Sequence, residues 1–136
     1  GSLFISKALD NLTGNSKFYR YHNLSRKVYL SLLKHCEAIV GNSSSGILEA
    51  PTYGIPAVNI GQRQLDRFQG SNVINVEDST VNKVVDAVNV AISNSFKSTI
   101  NLNENPYGDG TSSSRIIKIL EQLNYDMNLI KKRMTY

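Results

Sequence analysis

The segment "VGNSSSGILEA", residues 40–50, places consecutive polar residues directly after an apolar run. Its three serines, Ser43–Ser45, stand where a predicted strand gives way to a predicted helix. The first backbone N–H groups of a helix lack partners within the helix, and the helix dipole favours an anion near them. Serine hydroxyls add donors, and small residues let a phosphate approach the backbone. The serines therefore predict an anion site.

Glu49 is the one carboxylate in the segment that follows the serines. It lies six positions after Ser43 and five after Ser44, so it is not the partner of a capping box, which needs a spacing of three. A carboxylate in this place can accept hydrogen bonds from two sugar hydroxyls together. Two ordinary interpretations remain open: Glu49 is a solvated helical glutamate, and Asn42 or one serine is an ordinary N-cap. One cap, however, explains one residue and not four consecutive polar ones.

Two arginines follow the next predicted strand, in "NIGQRQLDR", residues 59–67. We expect Arg63 and Arg67 to reach the same edge of the sheet as the serines. Guanidinium groups there could pair with a diphosphate in bidentate fashion. Surface arginines in a loop are the alternative interpretation.

The other polar groups have ordinary interpretations. "NPYGDG", residues 105–110, predicts a turn with Thr111 as the cap of the last helix, rather than a ligand site. His22 and His35 have no Cys, Asp or Glu at metal-ligand spacing, so we predict no metal. The single cysteine, Cys36, is interpreted as a packed thiol in a reduced, cytoplasmic protein.

The predicted elements that position these residues alternate between helix and strand. Helices are predicted at residues 3–12, from a Ser25 cap through Cys36, at 44–50, at 82–92 and at 111–133. Strands are predicted at 17–22, 38–40, 56–60 and 72–76, and a long loop at 93–110. Pro51 must kink or end the short helix before it. The alternation predicts an α/β domain with a parallel sheet and ligands at the carboxyl ends of its strands.

Composition limits the class of protein. The chain has 136 residues, 40% of them hydrophobic and 19% charged, which is typical of one globular domain. Its net charge of +4 suits an anionic ligand or a solvated helix end, and no nucleic-acid motif or membrane-length apolar run accompanies it. Residues 1–2, Gly-Ser with no initiator Met, are typical of a tag remnant. We therefore predict a single domain, residues 3–136, of a larger protein.

The two segments "VGNSSSGILEAPTYGIPAVNIGQRQLDR" and "NPYGDGTSSSRIIKIL" together closely resemble the UDP-N-acetylglucosamine 2-epimerase family. The resemblance is nearest to the hydrolysing branch that makes N-acetylmannosamine for sialic-acid pathways. "NLSRKVYLSLLKHC" is similar to the preceding helix of that family, and the resemblance runs from about residue 18 to 120. It implies a two-domain fold of the glycosyltransferase-B type. This chain would be the carboxyl-terminal half, with a Rossmann-like parallel sheet and helices on both faces.

The resemblance also implies a UDP site. Ser43 and Ser44 would hold the diphosphate, Glu49 would bind the ribose hydroxyls, and Arg63 would face the phosphates at the mouth of the cleft. Arg67 matches the same motif, with a less defined contact.

Tyr29 is the sixth residue that the resemblance brings in. It occupies an aromatic position of the helix before the serine segment and would border the uracil pocket. Core packing is an equal alternative for this side chain.

In the family, UDP leaves by elimination to give a glucal-type intermediate, and water then adds to give the 2-epimer. The resemblance places the proton-moving acids and the histidine region upstream, so no catalytic residue is assigned in this chain and no cofactor is implied. The chain alone is expected to bind nucleotide without turnover. Its implied partners are a UDP-sugar and the missing amino-terminal domain, within a cytoplasmic homo-oligomer.

Other functions fit the same residues. One is the nucleotide-sugar domain of a glycosyltransferase with the same fold, and another is an epimerase acting on UDP-diacetamido-bacillosamine. A different class is a UDP-sensing or assembly domain without activity. Nucleic acid and membrane are not expected partners.

Overall fold

The computed structural model describes residues 2–102 and 105–123. The chain divides into two compact units, with the boundary between Cys36 and Glu37. Within the described residues, no helix has the length and apolar character needed to span a membrane. The single domain expected for residues 3–136 stays a prediction.

The first unit contains the helices α1, Ser2–Asp10, and α2, Arg26–His35. The predicted cap of α2 is confirmed, because the Ser25 hydroxyl accepts a hydrogen bond from the backbone N–H of Val28. Cys36, the C-cap residue of α2, is half-buried, and its thiol donates to the carbonyl of Leu33.

The strand predicted at residues 17–22 is wrong. Alternating aromatic residues favour a strand, but a strand needs a neighbour for its backbone hydrogen bonds, and residues 2–36 contain no other strand. Arg20 instead donates to the Asp10 carboxylate and to the Ser6 hydroxyl, both on α1. This segment is therefore held by side-chain contacts to a helix.

The second unit is built on a parallel three-stranded sheet in the order β1-β2-β3. Its strands are β1, Ile39–Gly41; β2, Ala57–Ile60; and β3, Val73–Val76. Its helices are α3, Ser45–Leu48; a 3₁₀-helix, Ala50–Tyr53; α4, Val81–Ala91; α5, Asn94–Lys97; and α6, Ser112–Gln122. The three predicted strands of this unit are confirmed, each with its start shifted by one residue.

Helices cover both faces of this sheet. Val58 of β2 is buried in a cluster with Val76 of β3 and Ala87 and Ala91 of α4. A Cβ at Gly46 of α3 would lie 3.1 Å from the Cβ of the preceding residue of β2, Ala57. Because neighbouring strand residues face opposite sides, α3 and α4 lie on opposite faces. The predicted α/β class with a parallel sheet is confirmed.

The bounds of several predicted helices and of the predicted loop differ from the structure. The short helix ends at Leu48, before Pro51, and a 3₁₀-helix follows it. The predicted loop at 93–110 contains α5, because the Ser93 hydroxyl accepts from the backbone N–H of Phe96 and caps a helical turn. The last helix ends at Gln122, where Leu123 is extended, and the remainder of its prediction, 124–133, lies outside the described residues.

Candidate functional site

The serine turn, residues 41–45, begins at the carboxyl end of β1. Gly41 has a φ of 142°, a conformation that favours glycine and turns the chain out of the strand. The Ser43 hydroxyl accepts from the backbone N–H of Ser45 at 3.3 Å, while the Ser44 side chain makes no capping hydrogen bond. Ser44 occupies the N-cap position without a capping bond, and the Ser43 contact is a local turn bond, so no serine hydroxyl caps α3 in the ordinary way.

The electrostatic part of the anion prediction is weaker than expected. The macrodipole of a helix is the sum of its aligned peptide dipoles. With only four residues in α3, that sum is small. The donors that this turn can offer an anion are therefore its hydroxyls and backbone N–H groups, rather than a helix dipole.

Glu49 lies at the other end of α3. It is the half-buried C-cap residue, its N–H donates to the Ser45 carbonyl at 3.0 Å, and its carbonyl accepts from Thr52 at 3.2 Å. At a rise of about 1.5 Å per residue, it stands roughly 7.5 Å along the helix axis from Ser44. The turn and the carboxylate thus suit two different parts of one elongated ligand.

Asn105 braces the segment around Glu49. Its side-chain N–H groups donate to the Leu48 carbonyl at 3.2 Å and to the Thr52 hydroxyl at 2.8 Å. Asn105 is the first residue of the "NPYGDG" cluster, so this cluster does more than form a turn. Sequence reasoning missed the contact because asparagine is also an ordinary turn residue.

The arginine loop, residues 61–70, follows β2 and is tied to the serine turn. Gln64 is buried, and its side-chain N–H donates to the Asn42 carbonyl at 2.9 Å. Arg63 precedes Gln64 in the sequence, and Ser43 follows Asn42. The bond between Gln64 and Asn42 therefore brings the arginine loop and the serine turn together. Both arginine side chains are exposed, and the backbone N–H of Arg67 donates to the Gln64 carbonyl at 3.2 Å.

Tyr29 belongs to the other compact unit. It lies within α2, where its side chain is half-buried. The serine turn, Glu49 and the arginine loop all belong to the second unit. The uracil-pocket role of Tyr29 stays a prediction.

The turn before α6 corrects one expectation. Thr111 occupies the N-cap position, but its hydroxyl donates to the Asp109 carboxylate at 2.6 Å and makes no capping bond to the helix. The hydrogen bond from this hydroxyl is the main cause that lowers the pKa of Asp109. Arg115 of α6 also pairs with this carboxylate at 2.6 Å. Asp109 therefore organises the turn.

Within the described residues, no group of three His, Cys, Asp or Glu side chains could hold a metal.

Sequence comparisons identify the family of this chain. The sequence profile of the family described as UDP-N-acetylglucosamine 2-epimerase matches residues 3–121. Similar proteins include a "UDP-N-acetylglucosamine 2-epimerase" of Neisseria meningitidis serogroup B, 40% identical over 79 residues, which are 58% of this chain and 21% of that protein.

Two further relatives are matched over most of this chain. A "GDP/UDP-N,N'-diacetylbacillosamine 2-epimerase (hydrolyzing)" of Campylobacter jejuni is 38% identical over 95% of this chain and 34% of its own length. The "Polysialic acid biosynthesis protein P7" of Escherichia coli is 29% identical over 89% of this chain and 31% of its own length. The chain thus spans about a third or less of the relatives it matches. The match over residues 3–121 shows that this chain belongs to the UDP-N-acetylglucosamine 2-epimerase family.

Proposed function

We propose that this chain is the UDP-binding part of a hydrolysing UDP-N-acetylglucosamine 2-epimerase, which releases UDP and N-acetylmannosamine. The observation that carries the proposal is the Gln64–Asn42 hydrogen bond, which joins the arginine loop to the serine turn at the carboxyl edge of the sheet. Glu49 lies five residues after Ser44, at the other end of α3. Ligands of parallel α/β sheets bind at this edge.

Each group has a chemical role in this proposal. Ser43 and Ser44 donate to the diphosphate, Glu49 accepts from the ribose hydroxyls, and Arg63, with Arg67 nearby, faces the phosphates. When the bond between sugar and diphosphate breaks, negative charge grows on the departing UDP. Donors already held in place stabilise that charge and lower the barrier. The proton transfers belong to residues outside this chain, so the chain alone binds nucleotide without turnover.

A second substrate has specific support. The Campylobacter jejuni relative, matched over 95% of this chain, and a Legionella pneumophila relative, 32% identical over 84%, are both named as hydrolysing diacetylbacillosamine 2-epimerases. UDP-diacetamido-bacillosamine is therefore the alternative substrate of the whole protein. We also propose that the whole protein is a cytoplasmic homo-oligomer. Measuring sugar release by the whole protein from each UDP-sugar distinguishes the two. Release of neither sugar would count against a hydrolysing epimerase and leave a transferase or a UDP-sensing domain among the alternatives.

The test of the UDP site is calorimetric titration of UDP into the wild-type chain and a Glu49→Ala variant. Loss of hydrogen bonds to a charged group should weaken binding by more than ~1 kcal/mol, or about fivefold. Glu121→Ala, at an exposed position on α6, is the matched control and should bind UDP as the wild type does. Circular dichroism checks that each variant is folded.

Two results would count against the proposal. Equal affinity of the Glu49→Ala and Glu121→Ala variants would remove the ribose role of Glu49. If the folded wild type binds no UDP, the titration is repeated on the whole protein, in which the other domain closes the site. Absence of binding there as well would overturn the proposed function.

A further inference from the structure

Buried amide side chains lie beneath the proposed UDP site. Asn59 of β2 is 4% exposed and Gln64 of the arginine loop is 1% exposed. In each, the side-chain NH₂ group donates a hydrogen bond, while the side-chain oxygen has no hydrogen-bond partner among the described residues. Burying a polar atom without a partner costs free energy. An amide at each of these positions therefore carries a desolvation cost that its donated hydrogen bond offsets only in part.

These amides belong to one connected chain of hydrogen bonds. Asn59 donates to the Asn75 side chain at 2.8 Å, and Asn75 donates to the Gln69 side chain at 2.7 Å. Gln69 donates to the Gln64 backbone carbonyl at 2.9 Å, and the Gln64 side chain donates to the Asn42 carbonyl at 2.9 Å. This series of hydrogen bonds runs from β2 through β3 and the arginine loop to the serine turn.

The last bond sets the direction of a backbone donor. The carbonyl of Asn42 and the N–H of Ser43 belong to the same peptide group, which is planar and trans, so they point in opposite directions. By holding the carbonyl, Gln64 also holds the N–H of Ser43. Gln64 is at the same time the chain neighbour of Arg63, so one side chain limits the motion of both groups.

We propose that Gln64 is a positioning residue of the UDP site: its buried amide aligns the serine turn with the arginine loop, so that both meet the same diphosphate. This inference rests on the proposed function and adds a residue that touches no ligand itself. A diphosphate needs donors from two loops at fixed separation. The hydrogen-bonded amide provides that separation before the ligand arrives, which lowers the cost of ordering the loops on binding.

The decisive comparison is between the Gln64→Met and Gln62→Met variants. Methionine keeps the length of the side chain and removes both the bonded NH₂ group and the unpaired oxygen, so the fold should be little affected. Gln62 is exposed and lies on the other side of Arg63, which makes it a matched control. We expect about tenfold weaker UDP binding by Gln64→Met, the scale of one lost hydrogen bond to a buried group, and no change in the control.

Two further readouts separate positioning from a general loss of structure. Uridine, which lacks the diphosphate, should lose less affinity than UDP in the Gln64→Met variant. The amide nitrogen resonance of Ser43 should shift in this variant, since the preceding carbonyl loses its donor, and stay unchanged in the Gln62→Met variant. A Gln69→Ala variant keeps the Gln64 side chain and removes the brace of the arginine loop to β3. The Gln69→Ala variant should also lose more affinity for UDP than for uridine, with UDP binding about threefold weaker.

The possible failures can be told apart. If the wild type binds UDP and the Gln64→Met and Gln62→Met variants bind it equally well, the positioning role is wrong while the UDP site stands. Equal losses for UDP and uridine in the Gln64→Met and Gln69→Ala variants would also overturn it. If neither the wild-type chain nor the whole protein binds UDP, the proposed function fails. In that case, an unshifted amide nitrogen resonance of Ser43 in the Gln64→Met variant would still show that Gln64 does not align the serine turn.

Discussion

Helix α1 of the first unit and the sheet layers of the second unit expose their apolar side chains very differently. In α1 of the first unit, Leu3 is 76% exposed and Phe4 is 84% exposed. In the second unit, Val58 of β2 and Ile47 of α3 are each 1% exposed. Apolar spacing produces a helix in both units, but burial requires a second layer to pack against. The sheet of the second unit supplies that layer on both faces.

Polar contacts follow the same division. An ion pair of the first unit, between Arg20 and Asp10, leaves the Asp10 side chain 62% exposed. In the second unit, Gln64 and Asn72 are almost fully buried and hydrogen-bonded to backbone carbonyls. Buried polar contacts hold groups in fixed places because few alternative partners exist nearby. The second unit thus offers the fixed polar contacts that the proposed UDP site needs.

A Val→Ala substitution in each unit should show the largest difference, which is in the free energy of unfolding. Val58→Ala leaves a cavity between β2 and α4 and should lower the free energy of unfolding by about 2–3 kcal/mol. Val28→Ala, on α2 of the first unit where Val28 is 48% exposed, should change it by less than about 0.5 kcal/mol. Urea denaturation followed by circular dichroism measures both. Equal losses would show that the two units do not differ in packing.

Removing a buried amide should have the next largest effect. Asn72 donates to the Gly46 carbonyl at 3.1 Å and to the Ile55 carbonyl at 2.9 Å, and it is 0% exposed. Asn72→Ala leaves both carbonyls without this donor and should lower the free energy of unfolding by about 2 kcal/mol. Asn89→Ala, at an exposed position on α4, is the control and should not destabilise the protein. A loss in Asn72→Ala no larger than in the control would contradict the bracing role.

The smallest expected effect is a pH dependence at the exposed turn before α6. The hydrogen bond from the Thr111 hydroxyl, with further contacts, holds the pKa of Asp109 below its ordinary value of 3.8. A lowered folded-state pKa gives a stabilisation that is fully present above that ordinary value and is lost as the pH falls through the folded pKa. The stability difference between the wild type and Asp109→Asn should therefore be constant at neutral pH and shrink below about pH 4.

Thermal unfolding at a series of pH values measures this difference. Thr111→Val removes the hydroxyl donor, so the pKa of Asp109 should rise toward its ordinary value in an NMR titration. An unchanged pKa in that variant would reject the hydroxyl as the main cause.

Local signals predicted much of the fold. Ser25 as a cap, the short helix after the serines and the three strands of the second unit each depend on a few neighbouring residues, and the structure has all of them. The strand predicted at 17–22 failed because strand formation depends on a partner that the local pattern does not reveal. The helical turn of α5 was missed because its cap, Ser93, lies in a stretch whose polar composition is typical of loops.

The candidate site divides in the same way. Residue type and spacing indicated the serines, Glu49 and the two arginines, while the supporting residues Gln64 and Asn105 were not predicted. Both carry amide side chains whose partners lie far away in sequence: Gln64 bonds to a residue 22 positions earlier and Asn105 to one 57 positions earlier.

The amino-acid sequence by itself determined the order of strand, serine turn and helix, because caps, turns and periodicity act over a few residues. It also determined the family, through the motifs around the serines and arginines. Only the tertiary structure decided which amides are buried, that the arginine loop is tied to the serine turn, and which unit has a covered sheet. These features depend on the register of parallel strands, which aligns Gly41 with Asn59 and Asn59 with Asn75. That register is set by packing between distant segments, since no local hydrogen bond specifies it.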